Sequence, residues 1–296
     1  MTRERSVYRN IHFYDGRTKK QVGGLYQAGS LTEKNILWML GNVLLIVEEP
    51  WTLIHRDSGR IVGPSDNPAS HGNYDIHSSG SISVTDELWI PRLASHPISG
   101  RESSFTRGVR ARDGKCVISG VPNPLSGAGI WAAYQAAHVF PLQYGNIWSA
   151  NGFAHWITNM PNTDGSSTMN SVQNGLLMFA HIHSLFDQYL FSINPDDGYK
   201  IISFQPDFTN IDGKILDFVC RDPNNPDHVA DEVLRWHFRQ AVLGNMRGAG
   251  EPVFETDFPP GSDLMETLRK EPYGKERFEM ELYRRLDVIK NQEALS

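Results

Sequence analysis

The chain has 296 residues, of which 40% are hydrophobic and 21% charged, and its 28 Lys+Arg against 34 Asp+Glu give a net charge of −6. That length supplies one large domain or two modest ones with a sizeable core, and the acidic balance excludes a protein that grips nucleic acid over its whole surface, leaving only local contacts. The longest apolar stretch, around 36–47, is broken by Gly41 and Asn42 and falls short of the roughly 20 apolar residues of a membrane span, while two cysteines exclude a disulfide framework or a four-cysteine zinc cage.

Texture divides the chain into residues 1–100, 101–205 and 206–296, without repeats or low-complexity tracts. The N-terminus MTRERSVYRN carries charge with no apolar run behind it, so no secretory signal is expected. With so few cysteines, this points to an intracellular, reducing setting, cytosol or nucleus. In the first segment Ser30-Leu-Thr-Glu33 has the form of a capping box and predicts a helix running to about Val47. Residues 51–55 and 81–84 alternate as short strands, and 88–90 suggest another. The intervening 63–80, rich in Pro, Ser, Asn, Asp and Gly, reads as a long loop. This mixed α/β segment has no motif that reveals a role; bracing the core or forming a homodimer contact is the expectation.

The second segment opens on residues 101–115, where five basic residues against Glu102 and Asp113 leave a local charge of +3. Arg107, Arg110 and Arg112 are candidates for pinning phosphates; a solvated or salt-bridged helix accounts for them equally well. An apolar run from Trp131 ends at His138, with Pro141 three residues on, so a strand stopping there would present His138 at its end. The segment closes on two β-rich runs, 190–193 and 199–204, around Asn194-Pro-Asp-Asp-Gly198, a strong hairpin signal. In the third segment residues 231–246 and 275–289 read as helices, separated by a Pro-rich stretch at 251–261, a mostly helical extension of the core.

Four of the eleven histidines, His138, His155, His181 and His183, fall within 46 residues. His183 and Asp187 are four apart, which on a helix brings their Cβ atoms to roughly 5–6 Å on one face and suits two ligands on one divalent cation. His181, two residues away, faces elsewhere on a helix. His155 beside Trp156 reads as loop packing, and Cys116 and Cys220 as small buried hydrophobes. Trp131, Tyr134, Phe140, Tyr144, Trp148 and Trp156 read as the core and lining of an insertion between His138 and Asn174 that could shape a substrate pocket, since the gap of 36 residues exceeds what a tight two-strand turn needs.

The order Ala137-His138-x-x-Pro141, Asn174-Gly-Leu-Leu177, His183-x-x-x-Asp187 resembles the HNH, or ββα-metal, nucleases. Cys116-Val-Ile-Ser-Gly120 ahead of it, and flanks such as Val-Arg-Ala-Arg-Asp-Gly-Lys-Cys and His-Ser-Leu-Phe-Asp-Gln-Tyr, are similar to the fungal branch of that family. The resemblance implies an α+β fold, a ββα-metal core embedded in a larger mixed scaffold, and an endonuclease-like, metal-dependent hydrolysis of DNA or RNA phosphodiesters. It implies that His138 is the general base, that Asn174 pins the loop orienting it, and that His183 and Asp187 hold one divalent ion. Mg²⁺ is the first expectation, although an imidazole–carboxylate pair also suits Mn²⁺, Zn²⁺ or Ni²⁺. Many such nucleases carry a further ligand directly before the base, where this chain has Ala137; water, Asp164, Gln173 or His181 could complete the set. Nucleic acid met through local basic contacts is the expected partner. The scaffold reused for a small-molecule substrate and a catalytically silent binding or assembly protein stay open as alternatives.

Overall fold

The computed structural model describes residues 5–87, 89–90, 104–159 and 168–247, all within the unit Arg5–Gly250. Strands β1 (Ile11–Asp15) and β2 (Gln21–Leu25) pair antiparallel, and helix α1 (Glu33–Met39) follows. A π-helical turn, Leu40–Leu44, leads into β3 (Leu45–Val47), and then come β4 (Trp51–His55), β5 (Arg60–Val62), β6 (Gly72–Ser78) and β7 (Ile82–Val84). Five of these strands form one sheet in the order β2-β1-β6-β4-β5, parallel between β1 and β6 and antiparallel elsewhere, while β3 pairs antiparallel with β7. Alternation explains β1: Ile11 and Phe13 turn into the core, and Phe13 meets Tyr74 of β6 at 5.8 Å between ring centroids.

Four expectations for this segment are corrected. The α1 cap sits two residues later than expected: Thr32 accepts from Asn35 N, and the Asn35 side chain returns the bond to Thr32 N. Ser30 instead bonds Asp212, and Glu33 pairs with Arg60. The regular helix ends at Met39 rather than Val47, because residues 45–47 gain hydrogen bonds by pairing with β7. The stretch 63–80 is not a continuous loop. It contains β6, flanked by β1 and β4, whose Asp75 is tolerated at 7% exposure because the Arg56 guanidinium binds it through two nitrogens. Trp89 and Ile90 form no strand, and Leu88 lies outside the described residues.

Helix α2 (Ser104–Asp113) leads to β8 (Tyr134–His138), short helix α3 (Gly145–Ala150), β9 (Gly175–Phe179) and helix α4 (Ala180–Asp187). Strands β8 and β9 are antiparallel, Tyr134 opposite Phe179 and His138 opposite Gly175. The hairpin expected next is β10 (Phe191–Asn194) and β11 (Lys200–Ser203), its turn closed by left-handed Gly198 and Tyr199. Helix α5 (Asp231–Met246) occupies the range read from the sequence. Its Phe238, Ala241, Val242 and Met246 join the core under the N-terminal sheet. Gly23 of β2 allows the close approach, since a Cβ there would lie 2.6 Å from Met246 O. On the same helix, fully buried His237 stacks on Phe186 of α4 at 3.6 Å and bonds Ser192 Oγ of β10 at 2.7 Å, tying α4 and the hairpin to α5. The helix expected at 275–289 and the stretch 251–261 lie outside the described residues. The fold is a mixture of helix and strand, consistent with α+β, and among the described residues no helix is long and apolar enough to cross a membrane.

Candidate functional site

His138 is the last residue of β8, where Pro141 and the turn after it end strand pairing. Its ring stacks on Phe105 of α2, with centroids 3.7 Å apart and planes 8° from parallel, and its Nε2 lies 3.2 Å from Asn170 Oδ1. Gly175, opposite it on β9, leaves room for α2, since a Cβ there would come within 2.6 Å of both Phe105 and Val109. With Asn170 accepting from Nε2–H, the lone pair of the neutral ring is on Nδ1.

Asn174 is fully buried and holds the chain that leaves His138. Its Oδ1 accepts from Phe140 N (2.7 Å), its Nδ2 donates to Phe140 O (3.0 Å) and Met169 O (2.9 Å), and its backbone carbonyl accepts from Val139 N (2.9 Å). One side chain thus joins the strand end, the turn beyond it and the approach to β9.

Arg112, expected among the phosphate contacts, serves a different purpose. Its side chain is only 2% exposed, forks onto the Asp113 carboxylate (Nε to Oδ1, 2.6 Å), and donates to Val172 O, Gly175 O and Asp227 O. Asp113 Oδ2 in turn accepts from Leu177 N at 2.8 Å. Burial pushes the Asp113 carboxyl above its ordinary range, against the pull of the adjacent guanidinium. The pair fastens α2 to both sides of Asn174, and a guanidinium so committed has no face left for substrate. Arg110 lies 4.9 Å over the Trp131 ring, and Arg107 is exposed on α2.

Helix α4 starts beside the beginning of β8, where Ala180 N donates to Ala133 O at 2.8 Å, and runs back along that strand. One turn on, His183 meets β8 again: its Nδ1 lies 2.8 Å from Gln135 Oε1. Its Nε2 lies 3.2 Å from Asp187 Oδ2, and both residues are buried, at 5% and 7% exposure. Strand alternation puts Gln135 and Ala137 on the face toward α4 and His138 on the other, toward α2. Asp187 lies about 6 Å further along the helix at 1.5 Å per residue.

The remaining candidates separate cleanly. Gln173 accepts from Thr158 N and Asn159 N and donates to Thr158 Oγ1 and Pro226 O, which makes it a loop brace. His181 is exposed and stacks on Phe179, and His155 packs edge-on to Trp156. Cys116 and Cys220 are free and buried, and burial pushes the Cys220 thiol up. Asp164 lies outside the described residues. Gln135 and Asn170, which touch the two key imidazoles, escaped sequence reading. The one available signal was that Gln135 shares its strand face with Ala137, at the position before the base.

Strands β8 and β9, the helix α4 that follows and the order His138, Asn174, His183 all fall within one segment of the chain. Residues 116–194 match the sequence model of a family described as HNH endonuclease, and residues 8–83 match one described as a domain of unknown function. The segment 116–194 is thus similar to an HNH endonuclease domain. No curated protein and no solved structure matches it.

Members of that family typically use a divalent metal ion. Among the described residues no group of three or more His, Cys, Asp or Glu side chains could hold one, so the test falls on the His183–Asp187 pair. Nε2 of His183 is buried and makes no hydrogen bond, although a carboxylate oxygen lies 3.2 Å away. A separation of about 3.0–3.4 Å is what two neighbouring ligands subtend when each is about 2.1 Å from one ion. A buried imidazole nitrogen that makes no hydrogen bond, beside a carboxylate, is a donor set that fits a divalent cation.

Proposed function

We propose that the protein is a metal-dependent phosphodiester hydrolase acting on nucleic acid, with His138 as general base and His183 and Asp187 as ligands of one divalent ion. The carrying observation is the buried His183 Nε2, without a hydrogen bond and facing Asp187, inside a segment that matches an HNH endonuclease model. When bound, such an ion supplies Lewis-acid stabilisation of charge on the phosphate and the leaving oxygen. Mg²⁺ leads for this chemistry, with Mn²⁺, Zn²⁺ and Ni²⁺ as alternatives that suit the same ligands.

The chain's own residues supply the base and its orientation. Asn170 and the Phe105 ring set the plane of the His138 imidazole, so that Nδ1 takes the proton of the attacking water. The water oxygen forms the new bond to phosphorus as the bond to the leaving oxygen breaks. Asn174 holds the backbone at 139–140 and thereby the end of β8. The substrate would lie across that strand end, with the base on one face and the ligand pair on the other. With Arg112 committed inside, Arg107, exposed on α2, and Arg110 remain the candidates for contacting a phosphate beside the site.

A second reading, a binding scaffold that does not cleave, is favoured by Ala137 at the position before the base and by a ligand set of two among the described residues. Plasmid nicking with Mg²⁺, Mn²⁺, Ni²⁺ or chelator separates the two. Metal-dependent cleavage lost in His138→Ala and His183→Ala supports hydrolysis. No cleavage with any ion, together with no ion bound, supports the scaffold.

A further inference from the structure

We infer that Gln135 is a positioning residue for the cation site: its side-chain carbonyl fixes the His183 ring so that Nε2 is presented as a ligand beside Asp187. This rests on the reading that His183 and Asp187 hold a divalent ion, and it adds the residue that makes the imidazole competent to do so.

An imidazole can bind a cation only through a nitrogen that carries no proton, and a neutral ring has one such nitrogen. The contact to Gln135 decides which. With Oε1 at 2.8 Å from Nδ1, the proton is held on Nδ1, and the lone pair goes to Nε2. That is the nitrogen which is buried, makes no hydrogen bond and lies 3.2 Å from Asp187 Oδ2. The opposite tautomer would turn an N–H toward the carboxylate and close the site to a cation.

Nothing in strand formation asks for glutamine here. Gln135 is exposed, so its amide could be satisfied by water, yet its carbonyl turns onto a buried ring. It also reaches His183 from a different element, β8, so the ligand on α4 is aimed by the strand that ends in the base. Hydrogen-bonded partners of this kind typically change metal affinity by about 10–100-fold when removed.

The test is Mn²⁺ and Ni²⁺ titration calorimetry on the full chain, with ¹⁵N NMR of the histidine ring nitrogens as a second readout. Gln135→Leu is expected to weaken ion binding about 10–100-fold and to convert the His183 signal from the Nδ1–H tautomer to a mixture. Gln135→Glu, which keeps an acceptor in place, is expected to retain both. Binding by Gln135→Leu within twofold of wild type, or an Nε2–H tautomer in the wild-type protein, overturns the inference. His183→Ala is the control. If it binds Mn²⁺ as the wild type does, or if the wild type binds neither ion, the ligand reading fails and this inference with it. If His183→Ala loses the ion while both Gln135 variants keep it, the inference alone fails.

Discussion

The N-terminal sheet and the HNH segment are held together in different ways. In the sheet, β6 lies between two neighbours, apolar residues of β1 alternate inward, and the buried Asp75 carboxylate is matched by Arg56 just beyond β4, while Arg60 of β5 pairs with Glu33 at the start of α1. Around the site, β8 and β9 pair only with each other, and the described residues between them form short helices and turns. There the binding falls to side chains that grip backbone: Asn174 on residues 140 and 169, Arg112 on 172, 175 and 227, Gln173 on 158, 159 and 226. A ladder spreads its hydrogen bonds over many residues, so the loss of one side chain is absorbed. A clamp concentrates several on one side chain, and its removal strands buried backbone groups.

The sharpest way to exercise this contrast is at the chemistry. His138→Ala is expected to reduce cleavage by about 10²–10⁴-fold, the usual range for a positioned base, with little change in thermal unfolding. An unaltered nicking rate would remove His138 from the reaction. Next comes the clamp itself. Asn174→Ala leaves three buried backbone groups at Phe140 and Met169 without their partner, which costs about 2–4 kcal/mol in urea unfolding. A loss below about 0.5 kcal/mol would show that the segment does not depend on this side chain. Arg112→Lys keeps the charge but cannot reproduce the fork, so about 1–3 kcal/mol is expected, with hydrogen exchange accelerating first at Leu177 and its neighbours.

Beside the sheet, at the start of α1, Glu33→Gln is expected to cost about 1–2 kcal/mol. The Glu33 carboxyl is held below its ordinary range by the Arg60 hydrogen bond first, then by Ser65, and Asp75 likewise by Arg56. A depressed folded pKa stabilises the protein above the unfolded pKa, about 4 for carboxylates, and that stability is lost as pH falls through the folded value. Unfolding followed from neutral pH downward should therefore show the wild type losing its advantage over Glu33→Gln only below about pH 4; a constant gap across that range contradicts the assignment. The smallest effect is expected at Arg107, where Ala should weaken nucleic-acid binding evenly across sequences and lower the salt-dependence slope by about 1.

The chain order alone determined the elements whose cause is local: the Asp-Gly hairpin, the apolar stripe of α5, the end of β8 before Pro141, and the i,i+4 relation of His183 to Asp187. It also carried the His, Asn, His order inside the segment that matches the HNH model, because a motif is spacing and needs no coordinates. Other features depended on partners far along the chain. Polar β6 becomes an interior strand only because β1 and β4 flank it and Arg56 neutralises Asp75. Ser30 lost the cap to Thr32 and bonded Asp212 instead. Arg112 looked like a phosphate contact until Asp113 and three carbonyls enclosed it. Gln135, an ordinary exposed strand residue by position, acquired its meaning from the imidazole that α4 lays beside it. Period and spacing act through the covalent chain and can be read along it, whereas burial, ion pairing and the aim of a hydrogen bond exist only once segments distant in sequence have met.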